Sequence, residues 1–150
     1  MRRFLVVDDD ADDVELFAEA VGSIDASVSC YNASDGKEAL AKLIQKDFDR
    51  PDVIFLDINM PMMNGWQFLS QLKESAQFKE IPVIMYSTSS ERNDIRSAMS
   101  SGALCFFTKP DTFVVLKNIL KIVVDYMDKG CLDKVCEAIR NYRRQGQGFG

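Results

Sequence analysis

Histidine is absent from all 150 residues of this chain. No imidazole within it can act as a base, a metal ligand or a phosphohistidine donor. Cysteine is sparse, with four residues, Cys30, Cys105, Cys131 and Cys136. Cys131 and Cys136 stand five apart, which is not zinc-ligand spacing, and without imidazole partners the four thiols read as small buried hydrophobes. Proline occurs four times and glycine eight, and no low-complexity linker interrupts the chain. Basic residues are in deficit, 18 Lys and Arg against 23 Asp and Glu, for a net charge of −5. Direct nucleic-acid binding needs clustered cations and is not expected. No apolar run approaches the ~20 residues of a membrane helix. The segment 1–7 is too short for a signal peptide before the acids begin. The expectation is a cytoplasmic protein, without membrane contact, whose thiols are reduced.

What is present has the balance of a globular domain, 47% hydrophobic and 27% charged residues. Short runs rich in Val, Ile and Phe fall at 4–7, 53–56, 83–86 and 104–107, with a weaker one at 26–31. Successive apolar residues imply strands covered on both faces, as in a parallel sheet. Between them lie helical periods. Val14, Ala18 and Val21 share a face, and Asp35 with Glu38 opens a second helix. Gly65 to Lys73 carries Phe68, Leu69 and Leu72. Ser90 is placed to cap a helix that turns Ile95, Ala98 and Met99 inward and ends at Gly102. Leu116, Ile119, Leu120, Val123 and Met127 form the most regular stripe. The alternation predicts an α/β fold with a doubly wound five-stranded parallel sheet. A boundary is expected near Asp128-Lys129-Gly130, giving a domain over 1–128, a short amphipathic helix over 129–144 and a disordered tail over 145–150. That helix carries Leu132, Val135, Cys136 and Ile139 on one face. It is too short to stand alone in water, so it packs on its own domain or on a partner.

In such a sheet, ligands gather beyond the carboxyl ends of the strands. Asp8-Asp9-Asp10 follows the first strand, Asp57 the third, Ser87 the fourth and Lys109 the last. Thr88, next to Ser87, takes its place if the fourth strand ends one residue later. Clustered carboxylates repel, and a bound Mg²⁺ relieves the repulsion while needing only one or two of them. An aspartate can also be the nucleophile that forms an aspartyl phosphate, with a cation and a hydroxyl placed around the transferred group. The plainer readings are that Asp8, Asp9 and Asp10 cap a helix, Asp57 sits in a turn and Lys109 is solvated.

Three motifs occur together and in order. These are Val7-Asp8-Asp9, Asp57-x-x-Met60-Pro61-x-Met63-x-Gly65 and Thr108-Lys109-Pro110. The chain thereby resembles, over about 3–127, the receiver domain of bacterial two-component response regulators. The resemblance implies a flavodoxin-like sheet of order 2-1-3-4-5. It implies Asp57 as the phosphoacceptor and Mg²⁺ held by Asp9, Asp57 and the carbonyl of Asn59, with Asp8 acting mostly through water. It assigns Ser87 and Lys109 to the phosphoryl group and Phe106 to an aromatic that changes rotamer on activation. Phe106, where the family often has tyrosine, lacks a hydroxyl, and its plainer reading is a half-buried edge aromatic. A cis peptide bond is expected before Pro110, and Asn59 and Ser89 should set how long the phosphoryl group lasts. The implied partners are a histidine kinase or histidine phosphotransfer protein upstream and an unidentified protein downstream, docking on roughly 90–125. A homodimer through the fourth and fifth helices is compatible with this, and the short C-terminal segment reads as that of a stand-alone receiver. One competing reading is a receiver-like scaffold that is never phosphorylated. The other is an aspartyl-phosphate phosphatase of the haloacid dehalogenase type, which needs an acid where Asn59 stands.

Overall fold

The computed structural model describes residues 2–60, 63–88 and 92–147. Five strands and six α-helices alternate: β1 Arg3–Val7, α1 Ala11–Ile24, β2 Ser29–Ala33, α2 Gly36–Leu43, β3 Val53–Asp57, α3 Gly65–Glu74, β4 Val83–Ser87, α4 Arg92–Ser100, β5 Cys105–Thr108, α5 Phe113–Asp128 and α6 Val135–Gln147. A 3₁₀ turn, Leu132–Lys134, precedes α6. The sheet is parallel with order β2-β1-β3-β4-β5, the flavodoxin-like arrangement expected from the resemblance.

The unbroken apolar runs follow from two cores, one on each face. Leu5, Val7, Ile54, Leu56, Val83, Met85 and Phe106 point to the side of α2, α3 and α4. Phe4, Val6, Val53, Phe55, Ile84, Tyr86, Cys105 and Phe107 point to the side of α1, α5 and α6. β1, β3, β4 and β5 are therefore covered on both faces, which is why their sequences do not alternate. The helices start where polar side chains accept free N–H groups: Asp10 for α1, Asp35 for α2, Thr112 for α5, and Asn64 with Gln67 in a reciprocal capping box for α3. The Ser90 cap expected for α4 lies outside the described residues.

Two of these expectations shift. The second strand, expected at 26–31, starts at Ser29, because Asp25 ties a turn before it, its Oδ1 accepting the Ser27 N–H at 2.9 Å and its carbonyl the Val28 N–H at 3.2 Å. As an edge strand with exposed Tyr31 and Asn32, β2 carries little of the apolar signal that marks the others. Ala98 is buried but Met99 is exposed, at the margin of the narrow face that α4 turns inward. Gly102 ends that helix with φ +99°, and the Ala103 N–H reaches back to the Ala98 carbonyl at 2.9 Å.

The C-terminal helix packs on its own domain. Val135 and Ile139 are fully covered in the α1–α5 core, each contributing roughly 1.5–3 kcal/mol relative to exposure. Asn118 Nδ2 donates to Tyr142 Oη at 2.9 Å, and Arg143 Nη1 donates to the Thr108 carbonyl at 2.8 Å. These ties hold the last turns in register, so the helix continues to Gln147 where a tail was expected from 145.

Candidate functional site

The site forms because parallel strands place successive carboxyl ends side by side. Asp57 is the last residue of β3 and Ser87 the last of β4, and the Asp8 N–H continues the ladder to the Ala33 carbonyl at 3.0 Å. The Lys109 N–H does the same to the Ser87 carbonyl at 2.8 Å. Asp8, Asp57 and Ser87 are buried, while Asp9 is exposed at the rim. One oxygen each of Asp8, Asp9 and Asp57 lies within 4.8 Å of the others. Three hard oxygen donors at that spacing, two of them shielded from water, suit a small divalent cation that keeps part of its hydration shell. A shallow cleft beside them is lined by Asp9, Asn59, Asn64 and Trp66.

Lys109 reaches the acids from β5. Its Nζ lies 3.0 Å from Asp8 Oδ2, 2.9 Å from Asp13 Oδ2 and 3.6 Å from Asp57 Oδ2. Burial alone would lower its pKa, but the carboxylates of Asp13, Asp8 and Asp57 overcome that and hold the ammonium above its ordinary value. Asp57 moves the other way. Burial and the negative charge of Asp8 push its carboxyl up to about 6, against the pull of Lys109 and of the Asn59 N–H that donates to it. The phosphoacceptor expected from the resemblance is thus an acid whose ionised form its surroundings disfavour.

The turn after Asp57 folds back on its own backbone. The Gly65 N–H donates to the Ile58 carbonyl at 2.9 Å, and a Cβ at Gly65 would lie 2.4 Å from the Asp57 carbonyl oxygen. Only glycine permits that approach, which fixes where β3 ends and α3 begins.

The structure brings together Asp8, Asp9, Asp57, Asn59, Ser87 and Lys109. Asn59 is exposed at the mouth of the site. Ser89 lies outside the described residues. The Lys109–Pro110 bond is trans, since no cis peptide is present among the described residues. The trans form is the lower in energy even before proline, and from it the Lys109 side chain already spans the distance to all three acids. Phe106 lies on the edge strand β5, as expected, but is buried in the core beneath α2, α3 and α4 rather than half-exposed. Without a hydroxyl it has no polar atom to keep at the surface.

Two residues were missed from sequence. Asp13, in the first turn of α1, completes the shell of Lys109. Tyr86, the penultimate residue of β4, donates its hydroxyl to Asp8 Oδ2 at 2.7 Å. A tyrosine inside an apolar strand run was the available signal, because a buried phenol needs a partner.

Comparisons with known proteins agree with this geometry. The profile of the response regulator receiver domain matches residues 4–121. The chain is 30% identical over 126 residues to chemotaxis protein CheY1 of Helicobacter pylori, covering 84% of this chain and 99% of that one. Among solved structures, the phosphorylated cyanobacterial phytochrome response regulator RcpA superposes with TM-score 0.77 at 30% identity, covering 83% of this chain and 92% of that one. The Mn²⁺-bound form of response regulator Rcp1 superposes with TM-score 0.75 at 25% identity, covering 85% and 94%. The chain spans only 29–35% of the length of several other curated relatives that it matches. No helix among the described residues is long and apolar enough to cross a membrane. With the fold, the acidic cluster and the matched profile in agreement, the chain belongs to the response regulator receiver domain family.

Proposed function

We propose that this domain accepts a phosphoryl group on Asp57 from a phosphohistidine of a histidine kinase or histidine phosphotransfer protein, and signals to a protein partner by changing conformation. The observation that carries this reading is the meeting of three carboxylates within 4.8 Å at the strand ends, with the Lys109 ammonium 3.6 Å from Asp57. Similar solved structures, one phosphorylated and one Mn²⁺-bound, support it by likeness.

An Asp57 oxygen attacks phosphorus as the P–N bond of the donor breaks, and the electron pair leaves on the donor imidazole. The donor histidine lies outside these 150 residues, which contain none. Mg²⁺, bound by Asp9, Asp57 and the Asn59 carbonyl with Asp8 acting through water, would neutralise charge on the phosphoryl oxygens. Lys109 supplies the second positive charge and Ser87 a hydroxyl. Asn59, exposed at the mouth, would orient a water that later attacks the acyl phosphate, and Ser89 is proposed to leave that entrance open. Together they set a lifetime of seconds to minutes, which decay of labelled phosphoprotein measures directly, and persistence for hours would refute it. By the resemblance, Ser87 moves to hydrogen-bond the phosphoryl group, and the space it vacates admits Phe106. The α4, β5 and α5 surface is the proposed output face, and the cytoplasm the proposed compartment.

The test is incubation with acetyl phosphate and Mg²⁺, followed by mass spectrometry. One phosphoryl mass on the wild type, absent without Mg²⁺ and absent from Asp57→Asn, is expected. No added mass, or the same mass on the variant, refutes the assignment.

A further inference from the structure

Tyr86 is not used by the mechanism above, yet it contacts two of its members. It is 3% exposed, its ring stacked on Phe107 with centroids 5.8 Å apart and tilted against Phe17 at 6.1 Å. Those contacts would be met equally by phenylalanine. The hydroxyl is an added polar group in an apolar layer, which folding tolerates only where a partner is in place. That partner is Asp8 Oδ2, at 2.7 Å. The same oxygen accepts from Lys109 Nζ at 3.0 Å, and Asp8 Oδ1 accepts the Asp10 N–H at 3.0 Å. Three donors on two oxygens leave the Asp8 carboxylate no freedom to rotate. Lys109 Nζ in turn lies 5.0 Å from the centre of the Tyr86 ring, within the range at which a ring face attracts a cation.

We propose that Tyr86 is a positioning residue for the divalent-cation site, its hydroxyl orienting Asp8 and its ring face setting the depth of the Lys109 ammonium. This rests on the receiver reading of the site. With both oxygens engaged inside the protein, Asp8 would meet a hydrated ion through water, and Asp9, Asp57 and backbone would ligate it directly. An outer carboxylate held in one orientation needs no ordering when the ion arrives, and removal of such outer-shell partners typically weakens metal binding about 10–100-fold. Without the hydroxyl, Asp8 is free to turn fully toward Lys109. The ion must then reorder it, at a cost in affinity.

The experiment compares wild type with Tyr86→Phe, which keeps the ring and its stacking. Mg²⁺ and Mn²⁺ are titrated against the fluorescence of Trp66, the single tryptophan, which lines the cleft with Asp9 and Asn59. The dissociation constant should rise about tenfold in Tyr86→Phe. Phosphorylation by acetyl phosphate should slow at limiting Mg²⁺ and recover at saturating Mg²⁺, a split that mere loss of stability would not produce. In the Asp8→Asn background, Tyr86→Phe should cost nothing further, because the hydroxyl acts through Asp8. Unchanged or tighter binding in Tyr86→Phe overturns the inference. So does a slow rate that Mg²⁺ does not restore, or a loss that adds to that of Asp8→Asn. A wild type that binds neither metal removes the receiver reading and this inference with it. Binding by the wild type with a silent Tyr86→Phe removes this inference alone.

Discussion

The two ends of the sheet treat acidic residues in opposite ways. At the amino end, Arg2 bridges Asp25 and Asp128, and Arg3 pairs with Asp49 while its N–H donates to Asp52. The acids there are wet: the Asp128 side chain is 50% exposed and that of Asp49 is 63% exposed. At the carboxyl end, the side chains of Asp8 and Asp57 are 0% and 7% exposed, and one lysine serves them and Asp13 together. Water can absorb surplus negative charge at the first end and not at the second. A fold selected for stability alone would have no use for the second arrangement. The difference supports the proposal that a cation binds at the carboxyl end.

Breaking that contrast should have its largest effect at Lys109. Lys109→Met leaves three carboxylates facing one another, and urea unfolding at neutral pH should show a loss of about 3–5 kcal/mol. Millimolar Mg²⁺ should restore part of it. Unchanged stability would mean that the acids are better solvated than their burial indicates.

The next effect is a dependence on pH. The unfolded chain releases the Asp57 proton near 3.8, the folded one only near 6. Between those values the unfolded state binds fewer protons, so this residue makes stability fall as pH rises from about 4 to about 6. The span is on the order of 1–3 kcal/mol. Other carboxylates titrate in the same window, so the measurement is the difference between wild type and Asp57→Asn. That difference should grow in favour of the variant across the window and stay level above it. A flat difference would contradict the environment assigned to Asp57.

Gly65→Ala should cost about 1–3 kcal/mol by crowding the Asp57 carbonyl, and it should weaken Mg²⁺ binding as the strand end shifts. Thermal unfolding with and without Mg²⁺ separates the two effects. The smallest change is expected at the other end. Asp128→Asn removes one partner of an exposed pair and should cost less than about 1 kcal/mol, with Mg²⁺ affinity untouched. A large loss there would erase the contrast between the ends.

How much of this the sequence disclosed depends on where each residue's partners lie. β1, β3, β4 and β5 were legible because each is covered on both faces and so written in consecutive apolar residues. β2 was misplaced because an edge strand writes only part of that pattern and its turn, tied by Asp25, resembles its beginning. Asp8, Asp9, Asp57, Ser87 and Lys109 were legible as polar interruptions at strand ends. Asp13 and Tyr86 were not, since their partners are 96 and 78 residues away in the chain. Local periodicity carries no information at that range, and only register between strands brings them together. The helix α6 was foreseen, but its docking on α5 and β5 depends on Asn118 and Thr108, which no pattern within α6 names.

The central claim is that the buried surplus of acid at the carboxyl end is an acceptor for a tetrahedral anion held with a cation. Fluorine NMR with beryllofluoride, which mimics an aspartyl phosphate, tests it most directly. A bound-fluoride signal that needs Mg²⁺, appears in the wild type and is missing from Asp57→Asn is the expected result. A signal independent of Mg²⁺, one retained by Asp57→Asn, or none in the wild type, would contradict the account.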